Sequence, residues 1–105
     1  MKESDWKVFK QIKDKAIELF CSRALQEFEA VITNENDHLH DRYLRLYKLV
    51  RDRDKKMGRL FDDHSRSKAI LQLLAIRAEG LADESLLGKL SEETLKYSDP
   101  ERLKS

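Results

Sequence analysis

From Tyr43 to Ile76 the chain reads YLRLYKLVRDRDKKMGRLFDDHSRSKAILQLLAI, with no proline and one glycine, Gly58. The whole 105-residue chain holds one proline and three glycines. A sheet protein of this length needs repeated tight turns, and tight turns need residues that tolerate unusual backbone angles. That supply is missing, so the chain must fold as a few helices in a single domain. Hydrophobic residues make up 40% and charged residues 39%. Such a balance suits amphipathic helices and is too apolar for a disordered chain.

Apolar residues recur at Trp6, Phe9, Ile12, Ala16, Phe20, Ala24, Phe28 and Val31, in steps of three and four. That period predicts an amphipathic helix over about 4–33, with Ser4 as N-cap and Asp5 favouring the positive end of the helix dipole. The polar run Thr33 to His38 should end it, with Asp37 capping the next helix. So short a link makes the two helices an antiparallel hairpin. The second helix shows a seven-residue rhythm through Leu39, Tyr43, Leu46, Val50, Arg53, Met57, Leu60, His64, Ser67, Leu71 and Leu74. That rhythm, with Arg59–Asp63 and Asp62–Arg66 spaced to pair, predicts one long helix over about 38–79. A kink or break near 62–66 is the alternative, because Asp62, Asp63, Ser65 and Ser67 could each cap a new helix. Gly80 should stop the helix, with Leu81 folding back on it. Short helices are predicted over about 84–89 and 92–97, capped by Asp83 and Ser91. Residues 98–105 read as a frayed tail after a single domain spanning 1–97.

Length then decides the assembly. A first helix of about 30 residues reaches roughly 45 Å and a second of about 42 reaches roughly 63 Å. The surplus end, rich in Ile70, Leu71, Leu73, Leu74 and Ile76, is apolar all round its circumference and must be buried. Leu81, Leu86 and Leu87 add to it. The expected architecture is therefore all-α: a long antiparallel two-helix hairpin with a short helical C-terminal tail, completed into a bundle by dimerisation. The homodimer interface is expected on Ile70, Leu71, Leu73, Leu74, Ile76, Leu81, Leu86 and Leu87, with another helical protein as the competing partner.

The charge is segregated. Residues 1–41 hold six basic and nine acidic side chains, residues 42–68 ten and four, and residues 69–105 five and seven. Arg42, Arg45, Lys48, Arg51, Lys55, Lys56 and Arg59 form a basic strip that could contact phosphate. The signs alternate in RDRDKK, and Asp41–Arg45 and Asp52–Lys56 are spaced for ordinary surface pairs, so nucleic-acid binding is the alternative reading. The apolar run AILQLLAI is too short to span a bilayer and the N-terminus has no signal-peptide pattern, which predicts a soluble, cytoplasmic protein. A lone cysteine, Cys21, reads as a buried thiol.

Catalytic groupings are not visible. Asp37, His38, His40 and Asp41 include metal-ligand types, but only His38 and Asp41 share a helical face, giving two ligands at most. His64 has acidic neighbours and no nucleophile, so it reads as a polar residue at the seam. Tyr43 and Tyr47 read as a core-edge pair with hydroxyls in water, and Trp6 as the end plug of the bundle. Glycine loops for nucleotides and protease or redox motifs do not occur. The sequence therefore predicts no catalytic, cofactor or metal residues, and a small non-catalytic interaction or adaptor protein.

Overall fold

The computed structural model describes residues 1–103. Among them are five α-helices: α1 (Glu3–Ile32), α2 (Leu39–Phe61), α3 (Ala69–Ala78), α4 (Glu84–Leu87) and α5 (Glu92–Tyr97). Single 3-10 turns lie at Arg66–Lys68 and Pro100–Leu103. No strand occurs among the described residues.

Helices α1 and α2 form the antiparallel hairpin, as the short link requires. Its tip is tied by Arg42, which donates to the carbonyl oxygens of Ile32 (2.9 Å) and Asp37 (3.0 Å). Those carbonyls sit at the end of α1 and in the loop, where a helix cannot satisfy them itself. The caps differ from the expected ones. Lys2 and His38 precede α1 and α2 without side-chain caps. Asp37 instead accepts from Asn34 and pairs with Arg45 at 2.9 Å.

The single long helix over 38–79 is not formed. Helix α2 ends at Phe61, and Ser65 is extended (φ −112°, ψ 141°). Asp63 accepts from the Ser65 amide at 3.2 Å, the local turn that aspartate favours. The exposed carbonyls of the break are claimed from afar. Gln72 donates to Leu60 (2.9 Å) and Asp63 (2.8 Å), and Lys13 also donates to Asp63 (2.9 Å). Neither expected pair, Arg59–Asp63 or Asp62–Arg66, is present. Asp63 pairs with Lys68, and Arg66 reaches Glu3.

The break reverses the chain. Arg66 lies by Glu3 at the bottom of α1, whereas Glu79 at the end of α3 meets Lys56 (2.8 Å) and the Arg23 guanidinium. Helix α3 therefore climbs back alongside α1 and packs into the hairpin. Leu73, Ile76 and Ala69 join Phe9, Ile12, Ala16, Phe20, Leu60 and Phe61 in one core. A straight helix would carry those side chains past the end of α1 into water, and each costs about 1.5–3 kcal/mol to expose. That gain outweighs the few intrahelical hydrogen bonds lost at Asp62–Ser65.

Gly80, the one residue with positive φ (69°) among those described, closes α3. The Leu81 amide donates back to the Ile76 carbonyl at 3.1 Å, which brings Leu81 into the core. Asp83 accepts from the Leu86 amide (3.1 Å) and Ser91 Oγ from the Thr94 amide (3.3 Å), so both short helices carry the expected caps. Leu86, Leu87 and Leu90 then seal the core from below.

The interface expected on residues 69–87 is accordingly occupied within one chain. Leu73, Ile76, Leu81, Leu86 and Leu87 are buried, and Ile70 and Leu74 are half-buried. Only Leu71, 70% exposed, remains free. The end of the chain is also more ordered than a frayed tail. Ser98 is fully buried and accepts from Arg77 at 2.9 Å, while Arg77 also donates to the Leu95 carbonyl. Residues 104 and 105 of that expected tail lie outside the described residues.

Candidate interaction surface

The upper half of the hairpin stands clear of the core as a two-helix arm. Its seam is built from Ala24, Val31, Leu46 and Leu49, with Arg53 and Glu27 set across it in a two-bond pair at 3.1 and 2.6 Å. The Arg53 hydrogen bond is the main cause that lowers the Glu27 pKa below the ordinary carboxylate range. Both side chains remain over 30% exposed, so the pair fixes register more than it stabilises.

The two faces of this arm differ. One carries Arg23, Lys56 and Glu79 with Leu81, so the end of α3 lies on that side. The other has no covering element among the described residues. Cys21, Leu25 and Phe28 of α1 and Val50 and Met57 of α2 line a shallow, mainly apolar groove of about 250 Å³ there, with Arg53 and Asp54 of α2 also in its wall. Helical spacing extends it toward the tip through Ile32 on α1 and through Tyr47 and Tyr43 on α2. Leu25 is 64% exposed, Tyr43 69% and Leu39, at the start of α2, 77%. The heptad rhythm places Tyr43 and Val50 on the seam. The seam has rotated toward Leu46 and Leu49, which turns both outward. Cys21 is half-buried at the groove wall.

The basic strip divides when its side chains are placed. Arg42 and Arg45 are consumed at the hairpin tip, and Lys56 pairs with Glu79. Asp41–Arg45 and Asp52–Lys56, the pairs expected from spacing, do not form. Lys48, Arg51, Lys55 and Arg59 follow one another at helical spacing along the outward ridge of α2, all exposed. Arg51 lies over the Tyr47 ring at 5.7 Å, and none of the four makes an ion pair among the described residues.

Two polar clusters occupy the lower half, and both serve the fold. Asp5 is 2% exposed and accepts from the Ser91 amide (2.9 Å), the Ser91 hydroxyl (2.6 Å) and the Thr94 hydroxyl (2.7 Å). Burial opposes its charge, but these donors together outweigh burial and hold its pKa below the usual aspartate value. It anchors the start of α5 to the first turn of α1. Lys13 is 6% exposed; burial lowers its pKa, against the raising effect of Asp63, Asp14 and Asp62. Its ammonium holds the α2–α3 break, 3.2 Å from His64 Nδ1. His64, expected at a helical seam, sits in that break against Trp6 at 5.3 Å. Trp6 covers the end of the core, stacked on Phe9 at 5.7 Å.

No group of three or more His, Cys, Asp or Glu side chains converges among the described residues. Nor is any helix among them long and apolar enough to cross a membrane. The chain matches no family model, no curated protein and no solved structure.

Proposed function

We propose that this chain is a non-catalytic helical interaction protein, and that the arm rather than residues 69–87 engages the partner. One observation carries this: the lower half packs most of its apolar residues into one core, with Leu71 and Leu103 as the main exceptions, while the arm leaves Leu25, Ile32, Tyr43, Tyr47 and Val50 in water on a face that no element among the described residues covers. Contiguous apolar surface on a small domain with a packed core marks a site of association. Two antiparallel helices with one apolar face are half of a four-helix bundle, so the fitting partner supplies a second pair of helices. The deciding experiment isolates the tagged chain from its own cell at natural abundance and identifies what accompanies it. The same isolation is then repeated with Leu25→Glu and Tyr47→Glu. A helical protein, or untagged chain, held by the natural sequence and lost from both variants supports the reading. Full retention by the variants refutes it.

A second reading rests on the ridge of Lys48, Arg51, Lys55 and Arg59, which makes no ion pairs among the described residues. A nucleic-acid backbone laid along it would contact about four phosphates, and the logarithm of affinity would then fall with the logarithm of salt with a slope of roughly −3 to −4. Fluorescence anisotropy with duplex and single-stranded oligonucleotides at several salt concentrations measures that slope directly. A flat response, or one unchanged by Lys48→Glu with Lys55→Glu, removes the reading.

A further inference from the structure

We propose that the arm's open face is covered by a second copy of this chain, related by a two-fold axis that runs along the hairpin. Both tips then point the same way, and α1 of each copy lies over α2 of the other. The inference rests on the arm being the interaction surface, and it adds the identity and orientation of the occupant.

Charge chooses the occupant. Apart from the side chains already held by Arg53–Glu27, Arg45–Asp37, Lys56–Glu79 and the Arg42 tip contacts, residues 18–37 leave Glu18, Glu29 and Glu35 against Arg23, whereas residues 39–59 leave Lys48, Arg51, Lys55 and Arg59 against Asp41, Asp52 and Asp54. One arm thus presents an acidic edge and a basic edge on either side of one apolar face. Rotation about the hairpin axis sets the acidic edge of each copy on the basic edge of the other. A two-fold axis across the hairpin would instead stack α1 on α1 and α2 on α2, like charge on like.

Register adds a specific contact. Glu27 pairs with Arg53 and Phe20 meets Phe61, so each step up α1 matches a step back along α2. Glu29 is therefore level with Arg51. Glu29 follows Leu25 by one helical turn and Arg51 follows Tyr47 likewise, which puts both at the outer rims of the open face. Both are exposed, and neither is in an ion pair among the described residues. The proposed axis brings Glu29 of one copy against Arg51 of the other, twice per dimer. Helix α3 does not interfere, since its end lies on the opposite side of the arm. A face about 25 Å long and two helices wide covers about 500 Å² per copy. That is the low end for a specific interface, the size class of weak, reversible contacts.

The test is sedimentation of the full chain from about 1 to about 500 μM, a range that brackets so small an interface. The natural sequence should pass from monomer to dimer, and Leu25→Glu should stay monomeric with unchanged helical circular dichroism. Glu29→Arg and Arg51→Glu should each weaken dimerisation at least tenfold, and the two combined should restore it to within about threefold, since the swap recreates both contacts. A chain monomeric throughout overturns the second copy, while the isolation experiment with Leu25→Glu still judges the arm as a surface for another protein. A dimer indifferent to Leu25→Glu places the contact elsewhere and overturns the second copy on the arm, and the isolation experiment again judges the arm itself. A dimer that Leu25→Glu breaks but the charge swap does not restore overturns the orientation.

Discussion

Helix α1 runs through two environments with one apolar rhythm. In its lower half Phe9, Ile12 and Ala16 are fully buried, because α3 returns alongside them and α4 closes over the end. In its upper half the stripe continues through Phe20, Ala24, Phe28 and Val31 toward α2, but Leu25 and Ile32, which lie beside it, face water because only α2 is there. Periodicity tells which side of a helix wants burial. It does not tell whether the chain itself supplies the cover. Where cover is supplied, side-chain identity sets stability; where it is not, the proposal is that side-chain identity sets association.

The contrast is sharpest for truncation. Phe9→Ala or Leu73→Ala should cost about 3 kcal/mol or more, since each leaves a cavity in a packed core. Leu25→Ala should stay within about 0.5 kcal/mol at a concentration where the chain is monomeric. Urea denaturation followed by circular dichroism measures both, and equal losses would erase the distinction between the halves.

Asp5→Ala comes next. It leaves the Ser91 amide and the Thr94 hydroxyl without their acceptor in a buried place, at about 2 kcal/mol. Amide exchange should then speed up over residues 91–98 and not in the arm. Uniform acceleration would mean that α5 is not held mainly through this carboxylate.

Acid probes the same joints. Asp5 lies below its ordinary pKa, and Asp83 is lowered to about 2 by the Ser85 hydroxyl, the Leu86 amide and Lys15. A carboxyl whose folded pKa is below its unfolded value stabilises the fold while ionised. That contribution is complete above about pH 4 and drains away as pH falls toward the folded value. Melting temperature should therefore be level from neutrality to about pH 4 and drop below it, and Asp5→Ala should shallow the drop. An unchanged slope would remove Asp5 from the account.

A small effect is also expected at the arm's own ion pair. Arg53→Met should change stability by less than about 1 kcal/mol, because both partners are partly solvated. A larger loss would show that the arm depends on its seam pair as the lower half depends on its core.

Local chemistry is legible in the sequence. The stripe of α1, the stop at Gly80 and the caps Asp83 and Ser91 all follow from residue type and spacing. The break at Asp62–Ser65 is visible there as an alternative, but helical pairing and heptad register argue against it. What settles it is non-local: Gln72 and Lys13 reach the freed carbonyls, and Leu73 and Ile76 find α1. Asp5 shows the limit again. Its place in the first turn suits the helix dipole, yet its donors lie 86 and 89 residues away. The interface expected on residues 69–87 has the same origin. The apolar run at 69–76 does need cover, but that cover comes from within, and the unmet need moves to the tip of the hairpin.

Hydrogen–deuterium exchange at two protein concentrations, well below and well above the dimer midpoint, tests this division directly. Residues 69–90 should show the same protection at both, and residues 21–32 and 39–57 should gain protection only at the higher. Protection of residues 69–90 that rises with concentration, with the arm unchanged, would contradict it.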